Sequence, residues 1–213
     1  MLRYDLHLRF IAVCLSALAG FVDALGFIEL GGFFVSFMSG NSTRVGVGLE
    51  NAAESLHWAI AAGLISSFVC GVVTGTVAGR LLHRRRHTVL LLLVATMLAL
   101  AGTLHALDFG FATVAAMAFA MGVENTVFER NGEVSIGLTY MTGTLVKLGQ
   151  HIAAALMGGS RTAWLSYFSL WSGLVGGAFA GAMLYPHMGL NAIWLAVGGA
   201  LLLAAGTRRF WFG

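Results

Sequence analysis

The chain combines a high hydrophobic content with few charges. Of its 213 residues, 58% are hydrophobic and 10% are charged, the mean hydropathy is +0.86 and the formal net charge is +3. Soluble domains carry about 25% charged residues, so this composition excludes an ordinary soluble protein and predicts an all-α integral membrane protein. A small positive charge in such a protein bears on its orientation and does not indicate nucleic-acid binding.

Six stretches are long and apolar enough to cross a bilayer, which takes about 20 residues for each span. The first begins near the amino terminus and lacks a small-residue cleavage pattern, so we expect a retained helix rather than a removed signal peptide. With one proline and no linker-like tract, residues 1–213 are predicted to form a single membrane domain. The stretches are 8–28, 57–82, 88–107, 110–128, 162–185 and 189–210.

Two further segments, 32–50 and 135–158, are rich in polar side chains and share a repeated motif. Residues 37–46 read FMSGNSTRVG and residues 140–149 read YMTGTLVKLG, a separation of 103 positions. Each copy has a small hydroxyl residue, a glycine, and a cation four residues after that glycine. Matched polar segments in the two halves of a membrane protein are typical of a site built between internal repeats.

The distribution of Lys and Arg predicts which segments cross. If only the six apolar stretches span, the basic clusters all fall on one side, which the positive-inside rule assigns to the cytoplasm together with both termini. If the polar segments also spanned, the triple arginine would lie opposite the amino-terminal cluster. Six spans are therefore favoured, and the two polar segments are expected to be re-entrant helices. The alternative is that the polar segments also cross the bilayer as full spans. The clusters are Arg3 and Arg9, Arg84–Arg86, Arg130 and Arg161, and Arg208–Arg209.

Six spans would form two inverted repeats of three, one at about 8–107 and one at about 110–210, because three crossings turn the second half upside down. Recurring glycines support this division. Small residues at four-residue spacing let another backbone approach closely, either within the chain or in a homodimer. The glycines lie 102 positions apart: Gly71, Gly75 and Gly79 match Gly173, Gly177 and Gly181, and Gly20 matches Gly122.

Four charged residues fall inside predicted membrane segments, namely Asp23, Arg44, Glu124 and Lys147. Each central charge costs about 2.5–3.5 kcal/mol on insertion scales. Four unpaired charges would therefore cost on the order of 10 kcal/mol, comparable with the stability of a whole protein. We expect them to pair, to face a water-filled cavity or to be neutral in part. Two interpretations stay open: structural salt bridges, or groups that line the path of a solute or ion.

The repeated segments also supply uncharged groups that can bind a ligand. Residues 39–41 and 142–143 can each begin a helix, whose first backbone amides face an anion or a ligand oxygen. The amides of Asn125 and Gln150 add further donors and acceptors. The candidate binding residues are Asp23, Ser39, Gly40, Asn41, Arg44, Glu124, Asn125, Thr142, Gly143, Lys147 and Gln150.

No motif in the sequence indicates a metal site, a cofactor or a known enzyme class. The signatures HExxH, CxxC, GxSxG and the P-loop are absent, and no ATP-binding domain could drive transport. Cys14 and Cys70 lie in apolar stretches and are expected to be small buried hydrophobes rather than a disulfide or metal pair.

Several motifs match one known family. They are GFVDA at 20–24, GGF at 31–33, FMSGNST at 37–43 and MTG at 141–143. With these motifs the chain resembles, over essentially its whole length, the YoaK-like family of small bacterial six-span membrane proteins of unknown function. Members commonly have Thr where this chain has Ser39, a change that keeps the hydroxyl. The resemblance implies a multi-pass protein of the inner membrane that transports a solute of unknown identity.

These observations favour a secondary transporter or channel-like carrier of a small polar or ionic solute, which would bind near the midplane between the repeats. In this hypothesis Asn41 and Thr142 contact the solute, Arg44 and Lys147 supply positive field, and the embedded acids supply counter-charge or proton coupling. One alternative is a non-transporting membrane protein that binds lipid or a partner through its glycine faces. A membrane-embedded enzyme is a third alternative, which the sequence favours least.

Overall fold

The computed structural model describes residues 6–50, 56–82, 85–130 and 133–210, which are helical almost throughout. The helices are α1 (Leu6–Glu29), α2 (Met38–Glu50), α3 (His57–Leu81), α4 (Arg86–Ala106), α5 (Gly110–Asn125), α6 (Met141–Leu156), α7 (Leu165–Met188) and α8 (Ile193–Phe210). A two-residue antiparallel ladder follows α5, formed by β1 (Glu129–Arg130) and β2 (Glu133–Val134). The predicted basic clusters lie in part outside the described residues, namely Arg3 and Arg84, and so do the side chains of Arg130, Arg208 and Arg209.

The prediction of an all-α membrane protein is confirmed, apart from the short ladder. Continuous apolar runs form long helices because a helix satisfies every backbone amide internally where no water is available. Four stretches of the described residues are long and apolar enough to cross a bilayer: Leu6–Glu29, His57–Leu81, Arg86–Ala106 and Leu165–Thr207. The chain is therefore a multi-pass membrane protein.

Two details differ from the six predicted spans. Helix α5 has 16 residues, a length of about 24 Å that falls short of the roughly 30 Å hydrocarbon core. The last two predicted spans form one apolar stretch of 43 residues. That stretch is broken at Gly189, where a φ of +57° ends α7 and leads into a 3-10 turn before α8. Glycine adopts this left-handed conformation at little cost.

The two polar segments form the short helices α2 and α6, of 13 and 16 residues. At 1.5 Å per residue these helices are about 20 and 24 Å long, also less than the core of a bilayer. They begin at equivalent positions of the repeated motif, Met38 and Met141. Helix α2 packs on α3, and α6 packs on α7.

Helices α1 and α7 cross in close backbone contact and run in the same direction. A methyl group added to Gly177 would overlap the carbonyl oxygen of Ala17, and one added to Gly181 would approach the carbonyl oxygen of Phe21 to 2.7 Å. Residue numbers rise together along both helices, which makes the pair parallel. Glycine is required here because any side chain would separate the backbones.

Helices α3 and α5 form a second parallel pair of the same kind. A β-carbon on Gly71 would overlap the carbonyl oxygen of Phe119, and one on Gly75 would lie 3.2 Å from the Cα atom of Val123. Both parallel pairs are thus held by glycines of the repeat, packed within the chain. This arrangement agrees with the packing interpretation of these glycines.

A glycine on α1 and one on α5 show which residues of the two parallel helix pairs are equivalent, because each faces a backbone carbonyl of the partner helix. A β-carbon on Gly20 in α1 would overlap the carbonyl oxygen of Leu174, and one on Gly122 in α5 would overlap that of Phe68. The two glycines are 102 positions apart, as the sequence indicated, but their contact partners are 106 positions apart.

The register of the repeated glycines in α3 and α7 therefore needs a correction. At a separation of 106 positions, Gly177 is the structural counterpart of Gly71, whereas the sequence pattern had matched Gly71 with Gly173. The four-residue spacing of these glycines explains the error. A shift of four residues, about one helical turn, aligns glycines with glycines again. A sequence comparison therefore cannot distinguish a separation of 102 positions from one of 106.

Helices α4 and α8 cross the molecule in opposite directions. The hydroxyls of Thr88, near the start of α4, and Thr207, near the end of α8, lie 3.1 Å apart. At the other end, Gly102 in α4 contacts Trp194 and Ile193 at the start of α8. The start of α4 and the end of α8 therefore share one end of the molecule.

Candidate functional site

A cavity of about 370 Å³ lies where α2 and α6 begin. With the exception of Phe68 from α3, its lining comes from the two polar segments, residues 36–39 in the first and 139–143 in the second. Four serine and threonine residues contribute to the wall: Ser36, Ser39, Thr139 and Thr142. The two segments that the sequence singled out are therefore brought together across the molecule.

The chain enters the first half of this cavity through a tight turn after α1. Gly31 and Gly32 have φ values of +62° and +112°, a region that favours glycine. The turn brings the backbone of Val35 and Ser36 back beside α1, where both N–H groups donate to Oδ1 of Asp23 at 2.8 and 2.7 Å. Asp23 therefore fixes the loop that precedes α2.

The second half of the cavity has an equivalent anchor. Oδ1 of Asn125 in α5 accepts a hydrogen bond from the hydroxyl of Thr139 at 3.1 Å. Asn125 lies 102 positions after Asp23, and Thr139 lies 103 positions after Ser36. Each anchor therefore binds the residue three positions before the hydroxyl residue of the repeated motif, which is Ser39 in the first copy and Thr142 in the second. Ser36 and Thr139 were not among the predicted binding residues, although their matched spacing could have identified them.

Asn41, a predicted ligand contact, is committed to the protein itself. Its side chain is fully buried, its Oδ1 accepts the N–H of Phe34 at 3.1 Å, and its Nδ2 donates to the carbonyl oxygen of Phe34 at 2.6 Å. Gly40, another predicted contact, lies against the rings of Phe34 and Phe37. These two residues shape the entrance to α2, whereas Ser39, Thr142 and Gly143 line the cavity.

Salt bridges among the embedded charges, one of the two interpretations of the sequence, do not form among the described residues. Arg44 is half-buried and stacks its guanidinium over the ring of Phe33, 4.7 Å from the ring centroid. Lys147 lies exposed on α6, as does Gln150. In the described part of the chain, neither cation forms an ion pair with a carboxylate of α1 or α5. Asp23 instead accepts hydrogen bonds from two backbone amides, which stabilise a carboxylate.

The ion pairs that are present in the described part of the chain lie at the end of α5. Arg86 Nη2 is 3.0 Å from Glu129 Oε2, with both side chains largely buried, and the same nitrogen donates to the carbonyl oxygen of Thr126 at 2.9 Å. The more exposed Arg80 approaches Glu129 at 4.0 Å. These contacts tie α3 and α4 to the ladder after α5. The sequence had assigned the 84–86 cluster only an orienting role.

The side chain of Glu124 has no polar contact with any of the residues that the structure describes. Its side chain is 0% exposed, and neither carboxyl oxygen has a hydrogen-bond partner. It precedes Asn125, the anchor of Thr139, but does not line the cavity. Across the described residues, no three His, Cys, Asp or Glu side chains are grouped so that they could hold a metal ion.

Comparison with known proteins identifies the family. A family model described as a protein of unknown function (DUF1275) matches residues 11–206. The chain is 36% identical over 200 residues to the UPF0700 transmembrane protein RA0705 of Rhizobium meliloti (strain 1021), covering 92% of this chain and 84% of that protein.

It is also 29% identical over 154 residues to the UPF0700 transmembrane protein YoaK of Bacillus subtilis (strain 168), covering 68% of this chain and 66% of YoaK. No solved structure matches the chain significantly. These matches confirm the YoaK-like resemblance of the motifs, and the chain belongs to the DUF1275 family of transmembrane proteins of unknown function.

Proposed function

We propose that the protein is a secondary transporter or channel-like carrier of a small polar or ionic solute, and that the solute binds in the cavity between α2 and α6. The observation that carries this proposal is the lining of the cavity by both copies of one repeated motif. Transporter sites of this kind lie where the broken helices of two repeats meet.

The directions of the helices support an inverted repeat as the basis of this carrier. If α1 runs outward, its parallel partner α7 runs outward and α8 returns. Because α4 opposes α8, it runs outward, so α3 and its parallel partner α5 run inward. Under this assignment each helix of the first half runs opposite to its counterpart in the second half: α1 to α5, α3 to α7 and α4 to α8. Both described termini and the start of α4 then share the cytoplasmic side of a bacterial inner membrane.

The size and chemistry of the cavity indicate the class of solute. About 370 Å³ is at the lower end of small-molecule pockets, which range over about 300–1,000 Å³. The hydroxyls of Ser39 and Thr142 and the first backbone amides of two helices provide donors. The rings of Phe37, Phe68 and Tyr140 provide apolar contact. Such a wall suits a small solute that has both a polar or anionic group and an apolar portion.

The decisive experiment fills the cavity. A β-carbon on Gly143 meets no atom within 4 Å, and the same holds for Gly149 on the same helix, but only Gly143 lines the cavity. We expect Gly143→Leu to fold and to lose binding, whereas Gly149→Leu should fold and bind as the wild type does.

The measurement is thermal stabilisation of purified protein by a panel of amino acids, small carboxylic acids, polyols and quaternary amines, followed by uptake into proteoliposomes. Thr142→Val and Thr74→Val form a second matched pair, because Thr74 bonds only within its own helix, to the carbonyl oxygen of Cys70. A solute that stabilises and enters with all four variants as with wild type would place binding elsewhere and refute the assignment.

A specific observation favours a second candidate, lipid binding. A cleft of about 540 Å³ between α1, α7 and α8 is lined almost wholly by apolar groups, among them Leu18, Phe21, Gly176 and Leu202. Native mass spectrometry tests this candidate. Lipid that stays bound to wild type and is lost from Gly176→Leu, with no solute bound by either, would favour it over transport.

A further inference from the structure

The carboxyl group of Glu124 is sealed inside the protein, and no described residue gives it a polar partner. Its side chain is 0% exposed, and Oε1 and Oε2 both lack a hydrogen bond. Residues 120–125 of α5 are all buried, so protein atoms surround this part of the helix on every side. Neither lipid nor water reaches the carboxyl group in this conformation.

The charged and titratable groups of the neighbouring helices are engaged elsewhere. Helix α5 packs against α3, α4 and α1. At this end of α5, these helices present Arg80 and Cys70 from α3, Arg86 and His87 from α4, and Asp23 from α1.

Arg80 and Arg86 contact Glu129, and Asp23 accepts two backbone N–H groups. The ring of His87 lies beside that of Phe128, with centroids 6.4 Å apart, and Cys70 is exposed on the surface. None of these groups forms an ion pair with Glu124 among the described residues.

A carboxylate ion in such a place would be unpaired and unsolvated, which is among the most costly arrangements in a protein. The neutral acid avoids most of that cost, and proteins use apolar sites to hold a carboxylic acid uncharged at neutral pH. An ionisable residue inside the membrane is therefore a functional candidate, because a structural role alone would be served by Gln or Leu.

We propose that Glu124 is a proton-binding site and that its proton is exchanged with water only when the interface between the repeats opens, which links transport to protons. The reaction is a reversible ionisation in which the carboxylic acid gives its proton to water. This inference rests on the proposed carrier function. The link to the solute is Asn125, the next residue, which holds Thr139 in the wall of the cavity.

Any motion that opens this wall disturbs the end of α5 and exposes Glu124, so solute access and proton release occur together. An alkaline medium stabilises the open conformation, in which the carboxylate is solvated, and acid stabilises the sealed one. A ligand, here the proton, shifts such an equilibrium by binding one conformation better than the other.

Infrared spectroscopy of the reconstituted protein tests the proton site without any solute. At neutral pH, the spectrum of the wild type minus that of Glu124→Gln should contain the carbonyl band of one protonated carboxylic acid. Glu50→Gln, which changes an exposed carboxyl on α2, should leave that band in place. After transfer to heavy water the band should shift slowly, because exchange requires opening. A missing band, or a shift complete at the first time point, would overturn the proposal.

Uptake experiments test the linkage. For a panel solute that Gly143→Leu does not take up, an inward proton gradient should accelerate uptake by wild type. Glu124→Gln should lose that acceleration but keep exchange of labelled for unlabelled solute, since Gln is uncharged in both conformations and has no proton to release. An uptake rate of the wild type that is the same with and without the gradient would refute proton linkage and leave the carrier function intact. A band that behaves as expected in a protein that moves no solute would instead refute the carrier function.

Discussion

Oδ1 of Asp23 in α1 lies 2.7 Å from the backbone nitrogen of Ser36 and 2.8 Å from that of Val35. One acceptor atom therefore holds the loop before α2, and the equivalent position in the second half, Asn125, uses an amide oxygen for the same purpose. Both bonds end on a single oxygen, which an uncharged amide side chain can also supply.

Replacement of Asp23 tests this relationship. Asp23→Asn keeps an oxygen in place and should change the melting temperature in detergent little. Asp23→Ala leaves two buried N–H groups unsatisfied, each at a cost of about 1–3 kcal/mol, and should lower the melting temperature clearly. Equal loss in both variants would show that the negative charge itself is needed.

The glycine crossings predict a difference between neighbouring positions. Gly177→Ala places a methyl group against the backbone of Ala17, whereas Gly176→Ala places one in open space. Overpacking of this kind costs about 1–3 kcal/mol, so only the Gly177 variant should lose folded yield and thermal stability. Wild-type behaviour of Gly177→Ala would mean that α1 and α7 do not cross at this point.

Two adjacent arginines at the start of α4 offer another matched comparison. Arg86 is largely buried and bonded to Glu129 and Thr126, while Arg85 is exposed. Loss of one partner of a buried ion pair costs about 3–5 kcal/mol, so Arg86→Ala should be strongly destabilised and Arg85→Ala should not. In the double variant Arg86→Ala with Glu129→Ala, part of the stability should return, as measured by thermal unfolding.

The proposed topology predicts which residues are reached from outside the cell. Cysteines at Arg85 and Asp108, both exposed at opposite ends of α4, are introduced into a chain in which Cys14 and Cys70 are replaced by Ala. A membrane-impermeant thiol reagent should label the Asp108 position in intact cells and the Arg85 position only after lysis. The reverse pattern would invert the orientation, and labelling of both from outside would exclude the six-span arrangement.

The sequence by itself determined the class of protein and the position of its helices. Hydropathy is a local property, and the requirement that a backbone in lipid bond to itself converts each apolar run into a helix. The predicted segments therefore agree closely with α1, α3, α4, α7 and α8. Both copies of the repeated motif contribute to the lining of one cavity, and each copy lies at the start of a short helix.

Only the tertiary structure decided which polar groups meet. The charges of Arg44, Asp23 and Glu124 looked complementary in the sequence. In the described part of the chain, however, the first stacks on Phe33, the second binds backbone amides and the third has no polar partner. A side chain can satisfy its charge with a ring or a backbone group that carries no signal in the sequence.

The register of the repeat was decided in the same way. Its glycines recur at each helical turn, so the sequence allowed two alignments, and the backbone contact of Gly177 with Ala17 distinguished between them. Helix positions follow from local composition, but the choice of partners depends on how helices distant in sequence pack against one another.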